Sequence, residues 1–167
     1  MFKILLLALL SFSANAGNKL ITFTPSNPTP DVAPFTCDAT QSGYFFTVSM
    51  YNTPSSCTVQ NVFPTYGSLT AGKVGTMAAY GMKAPAGVTF SLKAFNLKYA
   101  TTLKGYPGVY INTVDSLGNS RSYSVKLNAL GAYDVSGLSL DNLTEVYIQA
   151  RTAARLELTN ISIVDSQ

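Results

Sequence analysis

Gly108-Val109-Tyr110-Ile111-Asn112-Thr113-Val114-Asp115-Ser116-Leu117-Gly118-Asn119-Ser120-Arg121-Ser122-Tyr123-Ser124-Val125-Lys126-Leu127 is the stretch that decides the class of this chain. Val109, Ile111 and Thr113 alternate with polar residues and share one face of an extended segment. Tyr123, Val125 and Leu127 do the same on a second. Between them, Asp115 to Asn119 hold the residues that turns favour, with Gly118 free to adopt positive φ. Two alternating runs around such a turn predict a β-hairpin.

The same grammar extends in both directions. β-branched and aromatic residues alternate with polar ones and are broken by Gly, Pro, Asn or Asp roughly every 8–12 residues. The expected strands are Leu20–Thr24, Tyr44–Met50, Thr58–Phe63, Val74–Tyr80, Val88–Tyr99, Gly108–Thr113, Ser122–Asn128, Glu145–Ala150 and Arg155–Val164. No segment reads as an amphipathic helix. About nine short strands predict an all-β, antiparallel jelly-roll β-sandwich. Parity changes twice: Val88, Phe90, Leu92 and Ala94 give way to Phe95, Leu97 and Tyr99, and Leu156 and Leu158 to Ile161 and Ile163. A β-bulge, or a strand passing between sheets, shifts parity in this way.

The N-terminus has the three parts of an export signal: Lys3, the apolar run Ile4–Leu10, and the small-residue stretch Ala14-Asn15-Ala16. The apolar run is far short of the roughly 20 residues needed to span a bilayer, so no membrane insertion is expected. The domain reading is therefore a signal peptide over residues 1–16, an extended Pro-rich segment over 17–36, and one β-sandwich domain over 37–167. Cys37 and Cys57 are the only cysteines, and an even count in an exported chain predicts a disulfide. The expected location is secreted and extracellular.

The order of features between residues 88 and 164 supports a comparison. Thr89-Phe90-Ser91-Leu92-Lys93-Ala94-Phe95-Asn96-Leu97 is followed by Leu103-Lys104-Gly105-Tyr106, a turn with Gly118, Tyr123–Leu127, Leu143–Ile148, and Leu156-Glu157-Leu158-Thr159-Asn160-Ile161-Ser162-Ile163. This resembles the galactose-binding-like jelly-roll domain of uncharacterised secreted fungal proteins and of bacterial proteins with a C-terminal Pro-Glu-Pro sorting signal. The sorting tail is missing, and Thr159 stands where the family commonly has an aspartate. The resemblance implies a jelly roll and, by analogy only, carbohydrate binding. It also implies a structural calcium near the chain ends, for which Asp31, Asp38 and Asp165 are the candidate ligands. No other cofactor is expected.

The chain contains no histidine, which removes the commonest general base and the Ser-His-Asp and Cys-His arrangements. Its few carboxylates fall at turns and on outward strand positions, so no catalytic residue is expected and the reading is not an enzyme. Charged residues make up only 11% of the chain, without a basic cluster, and no nucleic-acid partner is expected. The excess is in tyrosine, ten in all. A phenol ring joins an apolar face to a hydrogen-bonding tip, a combination that suits a sugar or peptide surface.

Tyr66 and Tyr106, flanked by turn formers, are the candidate ligand-binding residues together with Tyr110. Asn142-Leu143-Thr144 and Asn160-Ile161-Ser162 satisfy the N-glycosylation sequon at Asn142 and Asn160. The expected function is a secreted, non-catalytic binding module for cell-wall or extracellular carbohydrate. The alternative is a structural or effector-like protein whose partner is another protein and which has no sugar ligand.

Overall fold

A computed structural model describes residues 17–30, 36–49, 57–63, 67–71, 78–99, 108–125, 131–150 and 156–166. The signal-peptide reading over residues 1–16 lies outside them. The elements run β1 (Gly17–Thr22), β2 (Thr29–Pro30), β3 (Thr36–Gln41), β4 (Tyr44–Ser49), α1 (Val59–Val62), β5 (Leu69–Ala71) and β6 (Ala79–Lys83). They continue with β7 (Thr89–Tyr99), β8 (Val109–Asp115), β9 (Ser120–Val125), β10 (Gly131–Asp134), a 3-10 turn (Ser136–Leu138), β11 (Leu143–Ala150) and β12 (Leu156–Ser166).

Every strand pairing among the described residues is antiparallel, and the fold is an all-β sandwich. One layer follows the order β9-β8-β11-β6-β4-β3-β2. The other is β10-β7-β12, with β1 and β5 both on the far edge of β12. A single register pair, Leu143 with Phe90, links the two.

Alternation builds the core. Tyr44, Phe46 and Val48 of β4 and Val146, Ile148 and Ala150 of β11 point inward from the first layer. Leu92, Phe95, Ile161 and Ile163 point inward from the second. The layers interlock through edge-on ring pairs: Phe23 with Phe46 at 5.2 Å and Tyr44 with Phe90 at 5.8 Å. Tyr80 crosses the core entirely. Its hydroxyl donates to the carbonyls of Leu69 and Leu156 and accepts from the Ala71 amide, joining β6 to β5 and β12.

The hairpin forms in the expected register, with Val109 opposite Val125 and Ile111 opposite Tyr123. Asp115 organises its turn, accepting from the amides of Leu117 and Asn119, both at 2.9 Å, and from the Asn119 side chain. Both parity changes are β-bulges. Ser162 faces Ala94 while Ile163 faces Leu92, so Lys93 is the extra residue of β7. Leu158 faces Leu97 while Asn160 faces Asn96, so Thr159 is the extra residue of β12.

Several expected elements differ. Thr58–Phe63 is not a strand: it contains the single turn α1. The Thr58 hydroxyl accepts from the Asn61 amide at 3.3 Å, and Val59 and Val62, three residues apart, both turn to the core. Local capping there overrides the β-propensity of valine. The strand expected over Val74–Tyr80 instead runs from Ala79 to Lys83, with residues 72–77 outside the description.

Among the described residues there are twelve strands in place of about nine, because β2, β3, β5 and β10 form as well. These are short segments containing Pro, Asp, Thr or Gly, whose strand conformation comes from their neighbours and not from their own propensity. The segment ahead of Cys37 contributes β1 and β2 to the sheets. Cys37 and Cys57 are joined in a disulfide that ties β3 to the residue preceding the α1 cap.

Candidate functional site

The outer face of the β9-to-β2 layer carries a continuous row of cross-strand partners. Ser122 of β9 faces Asn112 of β8, which faces Tyr147 of β11, which faces Gly81 of β6. Gly81 in turn faces Thr47 of β4, and Thr47 faces Asp38 of β3. Hydroxyl-to-oxygen bonds of 2.7 Å join Ser122 to Asn112 and Thr47 to Asp38. Six strands thus present one polar line broken by one glycine and one aromatic ring.

That glycine shapes the surface. A Cβ at Gly81 would lie 2.9 Å from Cε1 of Tyr147, closer than side chains pack, so the Tyr147 ring lies against the bare backbone. Beside it opens a trough of about 590 Å³, lined by Tyr147, Thr47, Asp38, Phe45, Lys83 and Asn27 among others.

Three large rings are exposed on this face: Tyr110 (40%), Tyr147 (42%) and Phe45 (54%). Tyr110 is paired with Gln149, one step along β11 from Tyr147, and Phe45 is paired with Lys83, one step beyond Gly81. The three rings therefore follow a diagonal across the sheet, each one row further along.

Tyr147 is held in place. Its hydroxyl donates to Oε2 of Glu145 at 2.8 Å, and Oε1 of Glu145 is 2.8 Å from the Lys83 ammonium. Burial, and after it the bond and charge of Glu145, push the Tyr147 pKa up to about 12, so the phenol keeps its proton and remains a donor. The bonds from Lys83 and then from Tyr147 hold the Glu145 carboxyl below the usual carboxylate range.

A depressed carboxyl pKa stabilises the fold above the unfolded value, and that contribution is lost as pH falls through the folded value. The Tyr147 ring is therefore expected to keep its anchor through the ordinary glutamate titration range and to lose it only at more acid pH. Ring proton resonances of Tyr147 followed from neutral pH to about pH 3 check this. A ring insensitive over the whole range would show that Glu145 does not hold it.

Of the residues singled out from sequence, Tyr110 lies on this face, while Tyr66 and Tyr106 lie outside the described residues. Tyr147 and Phe45 are the site residues that sequence reasoning missed. The available signal was parity: Val146, Ile148 and Ala150 inward force Tyr147 outward, and Tyr44 and Phe46 inward force Phe45 outward.

Of the aspartates named as candidate calcium ligands, Asp38 bonds Thr47 on the outer face of one layer and Asp165 pairs with Lys19 at the inner edge of the other, while Asp31 lies outside the described residues. Among the described residues no three His, Cys, Asp or Glu side chains converge on a metal position.

Asn142 is exposed in the turn before β11, with φ of 55°, and its carbonyl accepts from the Ser116 amide at 2.9 Å. Asn160 sits half-buried inside β12, between Thr22 and Asn96. Geometrically, Asn142 is the more accessible acceptor. No protein-family model and no curated protein matches this chain.

Proposed function

We propose that this chain is an exported, non-catalytic module that binds neutral extracellular or cell-wall carbohydrate in the trough on its outer sheet face. The observation that carries the reading is the Tyr147 ring laid against Gly81 within a row of hydroxyl and amide side chains. A pyranose offers an apolar C–H face to such a ring and a rim of hydroxyls to such a row. Lys83 and Glu145 neutralise one another and leave the Asp38 carboxylate in the lining, so the trough disfavours a uronic acid or a phosphate beside a neutral sugar. The likeness of residues 88–164 to galactose-binding-type jelly rolls belongs to the same proposal.

Retention of the Gly17–Gln167 protein on insoluble chitin, β-glucan, cellulose and mannan tests it, with Tyr147→Ala and Gly81→Ala beside the parent. Loss of one stacked ring is expected to weaken binding roughly tenfold. Gly81→Ala is expected to match it with the fold intact, because the new Cβ displaces a surface ring at the cost of its bond to Glu145 and leaves the core packing unchanged. A Tyr66→Ala, Tyr106→Ala double variant tests the two tyrosines that the sequence places beside turn formers. Retention on no polysaccharide would sink the glycan reading and move the weight to a protein partner.

A further inference from the structure

We infer that the α-ammonium of Gly17, released by cleavage after Ala16, is an ion-pair partner of the buried Asp165 carboxylate. The inference rests on the export reading of residues 1–16 and is independent of the trough.

Four observations converge on this place. Gly17, the residue that follows the small-residue stretch Ala14-Asn15-Ala16, lies in β1. The register of β1 against β12 sets Gly17 directly opposite Asp165. A Cβ on Gly17 would stand 3.8 Å from Oδ1 of Asp165, so the carboxylate leans over the Gly17 backbone. Asp165 is only 8% exposed, in line with the core residues Ile161 and Ile163, and a carboxylate that buried needs partners.

Lys19 is a divided partner. Its ammonium is 3.5 Å from Oδ2 of Asp165, donates to the Ser42 carbonyl at 2.9 Å, and stands 5.1 Å from the centre of the Tyr44 ring. The Tyr44 hydroxyl is enclosed beside Asp165 without a hydrogen bond of ordinary geometry. The cluster thus holds one buried carboxylate, one shared cation and one unsatisfied hydroxyl.

Processing changes the chemistry of one atom here. In the precursor, the Gly17 nitrogen is a neutral amide with a single hydrogen. Hydrolysis breaks the Ala16–Gly17 bond, water supplying the hydroxyl to the Ala16 carbonyl and a hydrogen to the nitrogen. At neutral pH the released amine takes a further proton and becomes an ammonium with three donors. Cleavage therefore adds a cation beside Asp165 and strengthens the β1–β12 edge of the sandwich only after the leader is gone.

A two-by-two comparison tests the pair. Gly17–Gln167 with a free or an Nα-acetylated amine is combined with Asp165 or Asp165→Asn, and the unfolding equilibrium is measured in urea. Acetylation is expected to raise the unfolding equilibrium constant about tenfold with Asp165 present and less than about twofold in Asp165→Asn. An amine that gains a carboxylate has a raised pKa, so its contribution is complete below the unfolded value and is lost as pH rises through the folded one. The tenfold gap is accordingly present at about pH 6 and closed by about pH 10.

Should Asp165→Asn not fold, a form starting at Ala16 replaces it. One extra residue moves the ammonium about 3.5 Å along the strand, and this form should behave as the acetylated one does. Equal effects of acetylation with and without Asp165, or an Ala16 form as stable as the parent, would overturn the inference. The N-terminal mass of the exported protein separates the two readings. A start at Gly17 supports both, a start elsewhere leaves export intact and removes this pair, and a retained leader sinks the export reading itself.

Discussion

Tyr80→Phe is expected to lower the unfolding free energy by about 3 kcal/mol, although it removes a single oxygen and keeps the ring. The hydroxyl's single proton is shared between the carbonyls of Leu69 and Leu156, and its oxygen accepts from the Ala71 amide at 3.1 Å, all in the core. A buried polar group left without a partner costs roughly 1–3 kcal/mol, and this substitution strips a bond from three groups at once. The three belong to β5 and β12, so the hydroxyl also fixes β5 against the edge of the second layer.

Urea unfolding of Tyr80→Phe beside the parent checks the magnitude. Tyr147→Phe is the control, because Tyr147 is exposed and Glu145 keeps Lys83 when the phenol is lost. A Tyr80→Phe loss no larger than the Tyr147→Phe loss would show that the buried carbonyls find other partners.

The same contrast between buried and exposed tyrosine marks how far the chain could be read before its fold was known. The β8–β9 hairpin was legible because everything that specifies it is local: alternation on both strands and an Asp115 turn that satisfies its own amides. The bulges at Lys93 and Thr159 were legible for the same reason, since an extra residue shifts the parity of the apolar positions whatever lies opposite.

The short strands β2, β3, β5 and β10 were not legible. They mix Thr or Tyr with Pro, Asp, Ala and Gly and carry no alternating apolar run, so the pairing of a neighbouring strand is what makes them extended. α1 was hidden for the opposite reason, its valines reading as strand while a threonine cap made a turn of helix. The trough was invisible because it is a cross-strand fact: Tyr147 matters through Gly81, 66 residues earlier in the chain, and only the β11–β6 register places one against the other. Of the three candidate ligand-binding tyrosines, only Tyr110 lies among the described residues, and it stands on β8, inside the strand expected over Gly108–Thr113.

Replacement of both Cys37 and Cys57 by Ala is expected to cost about 3 kcal/mol and to lower the melting temperature by roughly 10 °C. The bond closes a loop of 20 residues, and in the chain-entropy model the loss comes from freeing that loop in the unfolded chain. Cys37 is fully buried, faces Val48 across β4, and through Val48 stands in the same row as Tyr80. The disulfide thus anchors β3 to the residues entering α1, whose Val62 is in the core.

The unfolded-state origin makes a second, separable claim. A chain released from its cross-link expands further on unfolding, so the urea m-value should rise in the double variant while the native sheet content, followed by circular dichroism, stays the same. A stability loss with an unchanged m-value would place the effect in the folded protein instead, in the packing of Cys37 between β4 and α1. The two substitutions would then report on one shared row, and combining Tyr80→Phe with the cysteine pair should depart from additivity.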